Sequence, residues 1–116
     1  MNQPNAVADA LVALSRWIDD GNDHRDPEAR TWGRISKITE EAGEVIAAYI
    51  GATGQNPRKG VTHAVKDVCE ELLDVAVTAL GAIEHLTQHG GDSLDMLDAK
   101  IIHVAERAGV VRWVTE

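Results

Sequence analysis

Two short acidic stretches carry the side chains best suited to chemistry: Glu40-Glu41-Ala42-Gly43-Glu44 and Glu70-Glu71-Leu72-Leu73-Asp74. Each contains carboxylates three residues apart, Glu41 with Glu44 and Glu71 with Asp74. On an α-helix that spacing puts both members of a pair on one face, about one turn apart. Two such pairs on facing helices gather four carboxylates into one pocket. Anionic groups at that range repel one another unless a cation holds them. The hard, oxygen-seeking cation that suits them is Mg²⁺, with Mn²⁺ as a substitute. The competing reading is a pair of solvated faces, the usual fate of an acidic strip. Two features weigh against it. Leu72-Leu73 sit inside the second stretch and Ala47-Ala48 follow the first. No Lys or Arg stands four residues C-terminal to Glu41, Glu44, Glu71 or Asp74, where a salt-bridged surface favours one.

The elements that must position these residues read as helices. Met1 to Asn5 is expected to be loose. Val7, Leu11, Leu14 and Ile18 then give helical spacing from Ala6 to near Gly21. Asp26-Pro27-Glu28 reads as a helix start, with Asp26 as N-cap. The second helix is expected from about Pro27 to Tyr49 or Ile50, and Gly51 to Gly60 as a loop made locally basic by Arg58 and Lys59. Thr62 is the expected cap of a third helix, roughly His63 to Gln88. Its apolar stripe is wide (Val65, Val68, Cys69, Leu72, Leu73, Val75, Ala76, Ala79, Leu80, Ile83), so the helix is expected to be central. The strip Asp67, Glu71, Asp74, Thr78 lies on the other side, and Cys69 is expected to be a small core residue. Gly90-Gly91 ends this helix. Asp92 or Ser93 opens a fourth, which runs to about Ala108 and is closed by Gly109. The apolar tail Val110 to Val114 is expected to pack on the body or on a second subunit. With no strand, repeat or linker in view, residues 1–116 read as a single all-α domain. The expected architecture is a four-helix bundle-like unit completed by oligomerisation.

Composition narrows the classes. The chain has 116 residues, 44% of them apolar but only 3% aromatic, with no Phe. Its core must come from Ala, Val, Leu and Ile, which suits closely packed helices. The formal net charge of −8 argues against nucleic acid or an anionic membrane surface as partner. With Cys69 as its single cysteine, the chain forms no intramolecular disulfide. Nothing reads as a signal peptide or membrane span, so a cytoplasmic location is the expectation.

Glu40-Glu41-x-x-Glu44, followed after 26 residues by Glu71-x-x-Asp74, resembles the EExxE…ExxD signature of MazG-like nucleotide pyrophosphohydrolases, the all-α NTP pyrophosphatase superfamily. Ile35-Ser36-Lys37-Ile38 and Gly43 resemble the lead-in to the first motif. The resemblance spans roughly Ile35 to Arg107. It implies that Glu41, Glu44, Glu71 and Asp74 bind Mg²⁺, and that Glu40 orients or activates water. It also implies hydrolysis of a nucleoside triphosphate to monophosphate and pyrophosphate by a homodimer or homotetramer. The alternative is a non-catalytic helical oligomer that binds metal or nucleotide through the same acids.

Lys37 shares the strip of Glu41 and Glu44, where it either contacts phosphate or offsets the acids. Arg58 and Lys59 are candidates to reach a triphosphate tail, against the plainer reading of a solvated loop. Lys100 and Arg107 resemble basic positions that follow the second motif. Trp32 is either a base-stacking residue or packing near a helix start. The five histidines show no ligand spacing. The absence of Glu-x-x-His, GxxxxGK[ST] and GxSxG argues against di-iron carboxylate bundles, P-loop enzymes and α/β-hydrolases.

Overall fold

The structure is a computed structural model that describes residues 5–111. Those residues form four helices and no strand: α1 (Ala6–Gly21), α2 (Pro27–Thr53), α3 (Val65–Leu86) and α4 (Ser93–Arg107). Local chemistry sets the ends. Asn5, expected to be loose, is the N-cap of α1, and its side chain accepts from the amides of Val7 and Ala8 at 3.1 Å each. Asp26 caps α2 as expected, accepting from Glu28 N at 3.0 Å and Ala29 N at 3.3 Å.

Three boundaries differ from the sequence expectation. Gly51 does not break α2, which continues to Thr53 and ends at Gly54 with φ 67°. Gly51 is instead the point where the chain entering α3 comes closest. Its carbonyl accepts from Thr62 N at 2.9 Å and His63 N at 3.3 Å. A Cβ at Gly51 would collide with the His63 and Thr62 side chains. Thr62 is not the cap of α3, because its hydroxyl is paired with His63 Nδ1 at 2.9 Å. The cap position is Ala64, whose amide donates to Asp67 Oδ2 at 2.8 Å. Finally, α3 stops at Leu86, before Gly90-Gly91, because Gln88 and His89 already take φ of 57° and 60°. The Glu84 carboxylate holds this turn, accepting from Gly91 N and Ser93 N at 2.9 Å each. Burial pushes the Glu84 carboxyl up, but the bonds from Ser93 and Gly91, with His89 nearby, outweigh it and hold the group below its ordinary value.

Helix α3 is central: α2, α1 and α4 all pack on it. It runs antiparallel to α2, with Gly81 beside Arg34, Glu71 beside Glu44 and the start of α3 beside Gly51. The face it turns inward is not the expected one. Val68, Glu71, Val75, Thr78 and Ala82 lie on the covered side, while Val65 (70% exposed), Leu72 and Leu73 (58%) point away, and Cys69 is exposed with them. The wide stripe explains this. One edge packs on α2 and α1, and no helix among the described residues covers the remainder. On α2, Ile46 (62% exposed) and Tyr49 face out in the same way. The radius of gyration is 17.9 Å, against about 13 Å for a compact chain of this length. Val110 is exposed, and the tail beyond Val111 lies outside the described residues. No helix among the described residues is long and apolar enough to cross a membrane.

Candidate active site

Three of the four motif carboxylates meet where α2 and α3 run side by side. Oxygens of Glu41, Glu44 and Glu71 lie within 4.8 Å of one another. The i, i+3 spacing on α2 turns Glu41 and Glu44 toward α3, whose antiparallel course brings Glu71 opposite them. Asp74 is exposed and stands outside this trio, although its charge reaches Glu41. Burial and the repulsion of Glu44 push the Glu41 carboxyl above its ordinary value, partly offset by Lys37. Glu71 Oε2 is buried without a hydrogen-bond partner. A buried carboxylate oxygen with no donor, crowded by two more carboxylates, is the kind of group a hard cation satisfies. The donor set therefore fits Mg²⁺.

Lys37 and Glu40 flank the trio. Lys37 Nζ lies 3.1 Å from Glu40 and 3.7 Å from Glu41. The bond to Glu40, with the charges of Glu41 and Glu44, holds the ammonium above its ordinary value. Glu40 itself is exposed.

Of the trio, Glu41 lines the end of a cleft of about 650 Å³ bounded by α1, α2 and α3. Leu11, Leu14, Ile18 and Val77 give it an apolar wall. Lys37 and Glu41 line one end, and Arg25 and Arg30 line the end nearer the start of α2. Trp32 is 63% exposed and does not line it, nor do Arg58, Lys59, Lys100 or Arg107. Arg58 and Lys59 lie in the loop between α2 and α3, and Lys100 and Arg107 on α4.

The cleft is braced by a polar network that sequence reasoning missed. The Arg34 guanidinium, 8% exposed, donates to Ser15 O at 3.2 Å, Asp19 Oδ1 at 3.0 Å, Ser15 Oγ at 2.8 Å and Gly81 O at 2.8 Å. Asp19 Oδ2 faces His85 Nδ1 at 2.7 Å and His89 Nε2 at 3.3 Å. His85 Nε2 meets the Thr31 hydroxyl at 2.8 Å, and His89 Nε2 the Ser15 hydroxyl at 3.0 Å. Burial pushes the Asp19 carboxyl up. The His85 bond and the charges of His85 and Arg34 outweigh that, and the group is held below its ordinary value. Ser15 is no nucleophile in this setting, because its hydroxyl already donates to Gly81 O at 3.0 Å and accepts from Arg34. One signal was available: Ser15 and Asp19 continue the inward line of Leu11 at four-residue steps along α1.

No protein-family model matches this chain, and no curated protein or solved structure matches it.

Proposed function

We propose that this chain is a Mg²⁺-dependent nucleoside triphosphate pyrophosphohydrolase of the MazG-like type. The observation that carries the reading is the carboxylate trio Glu41, Glu44 and Glu71 at the edge of a cleft of nucleotide size. Glu71 Oε2, buried without a donor, supports a cation there. Glu41, Glu44 and Glu71 would hold the ion, with Asp74 available from the adjacent turn. Mg²⁺ in such a site neutralises phosphate oxygens and lowers the pKa of a water.

The chain's own groups do the rest. Lys37, kept protonated by Glu40 and Glu41, offers positive charge to phosphate oxygens between the acids and the cleft. Glu40 Oε1 or Oε2 takes the proton of the attacking water and, being exposed, passes it to solvent. The water oxygen bonds to the α-phosphorus, and the bridging bond to the β-phosphate breaks. Nucleoside monophosphate and pyrophosphate leave. The apolar wall of Leu11, Leu14 and Ile18 gives the nucleoside a surface to pack on.

The working unit in this proposal is a homodimer or homotetramer. Support comes from the outward apolar faces of α2 and α3 and from the large radius of gyration. The test of function is pyrophosphate release from a panel of NTPs and dNTPs with and without Mg²⁺. Mg²⁺-dependent release is expected for at least one. Mg²⁺-dependent nucleotide binding without release across the panel would replace the enzyme by a binding module.

A further inference from the structure

The end of the cleft away from the acids has more positive charge than it can neutralise. Arg25, Arg30 and Arg34 all line it, in a chain of net charge −8. Asp19 is the one carboxylate lining that end among the described residues, and its two oxygens are already taken by Arg34, His85 and His89. No carboxylate among the described residues lies within salt-bridge distance of Arg25 or Arg30. Arg25 Nε donates to the neutral amide oxygen of Asn22 at 2.9 Å. Arg30 has less: its Nε is buried with no hydrogen-bond partner. Arg30 as a whole is half-buried; a guanidinium partly withdrawn from water without a counter-charge loses solvation, and an anion arriving beside it offsets that loss. Its planar fork of donors matches the oxygens of phosphate.

We propose that Arg30, assisted by Arg25, forms a phosphate-binding site at this end of the cleft, so that the preferred ligand is an organic phosphate with negative charge at both ends. The eleven residues from Arg30 to Glu41 put the two ends roughly 16 Å apart along α2. That is too far for one triphosphate tail to occupy both. A nucleotide whose 5′-phosphates face the acids would present a second phosphate, attached to its ribose or base, to Arg30. The two-ended ligand rests on the nucleotide reading of the cleft, whereas the anion site does not.

The test follows the Nε–Hε resonances of Arg25 and Arg30 in ¹⁵N-labelled, metal-free protein titrated with inorganic phosphate. A saturable shift at Arg30, absent with chloride at equal ionic strength, is expected. It should persist in Glu41→Gln, and Arg30→Lys should weaken phosphate binding at least threefold. A shift no larger than that with chloride overturns the site. The second arm compares adenosine 5′-monophosphate with adenosine 3′,5′-bisphosphate in Mg²⁺. The bisphosphate should bind about tenfold more tightly, and Arg30→Gln should erase that gain while sparing monophosphate affinity and helicity. Equal affinity of the two, with the phosphate shift intact, means a site for a free anion and overturns the two-ended ligand. Equal loss of both in Arg30→Gln overturns it as well. Failure of pyrophosphate release alone would touch the proposed reaction and leave the anion site standing.

Discussion

Replacing Arg34 by Met should show how α1 is held to the body. The guanidinium joins three helices through its bonds to Ser15 and Asp19 on α1 and Gly81 on α3. The side chains of Arg34 and Asp19 are 9% and 14% exposed, so water replaces little of what the variant removes. Breaking a buried pair by deleting one partner costs roughly 3–5 kcal/mol. His85 and His89 still face Asp19 after the change, which argues for the lower end, about 3 kcal/mol. Against a total stability of about 5–15 kcal/mol that is a large share. It corresponds to a fall of roughly 10–15 °C in Tm. Asp19→Asn should cost a similar amount by leaving Arg34 without its carboxylate. The double variant should lose less than the two single losses together, with a coupling of about 1–3 kcal/mol. Urea unfolding followed by circular dichroism, at one fixed protein concentration, measures all four proteins. Additive losses, with coupling under about 0.5 kcal/mol, would mean that the pair does not act as a unit. The pH dependence carries a second check. The Asp19 carboxyl is held below its ordinary value of 3.8 in the folded chain. The unfolded chain therefore binds that proton first as pH falls. The contribution is complete above the ordinary value and is lost as pH drops through the lower folded one. Asp19→Asn should remove that part of the acid sensitivity.

Three further outcomes are expected. Glu71→Gln should lower pyrophosphate release at least ~100-fold yet raise the Tm of the protein in EDTA, because the amide removes one anion and donates to its neighbours; a lower Tm in EDTA by calorimetry would show that the trio is not repulsive. Glu84→Gln should cost about 2–4 kcal/mol, since one of the two backbone amides that the carboxylate accepts would face an NH₂ instead, and hydrogen exchange should report the loss at Gly91 and Ser93. Light scattering at micromolar concentration should give at least a dimer mass, and Ile46→Glu with Leu73→Glu should dissociate it without loss of Mg²⁺ binding; a wild-type monomer would refute the assembly.

The four helices and the start of α2 were legible because they depend on neighbours in sequence. Asp26-Pro27 and the Leu11, Leu14, Ile18 spacing need nothing beyond local chemistry. Gly51 was misread for a reason that local chemistry cannot supply. A glycine inside a helix and a glycine that ends one look alike until the strand of chain that crosses it is known, and here that chain is Thr62-His63, eleven residues on. Of the acidic site, the trio followed from two i, i+3 pairs once α2 and α3 were known to be antiparallel. The register of that pairing, which favours Glu71 over Asp74, is set by packing further along the helices.

The polar brace and the inward face of α3 were not legible, because which edge of a wide stripe turns inward depends on the helices it meets. Ser15, Asp19, Arg34, His85 and His89 are each unremarkable on a helix surface. They become a structural unit because three helices meet with polar groups facing one another, each satisfied by the next. That arrangement uses up the inner surface of α1, α2 and α3 around the cleft. Val65, Leu72 and Leu73 are then left on the outside of α3, and Ile46 and Tyr49 on the outside of α2. The two observations are one: a unit that spends part of its interior on a polar brace leaves part of its apolar surface outside. The outer part of the apolar stripe on α3 is left without a covering helix among the described residues, while Glu71, alone of the carboxylates in the acidic strip on that helix, meets Glu41 and Glu44 of α2.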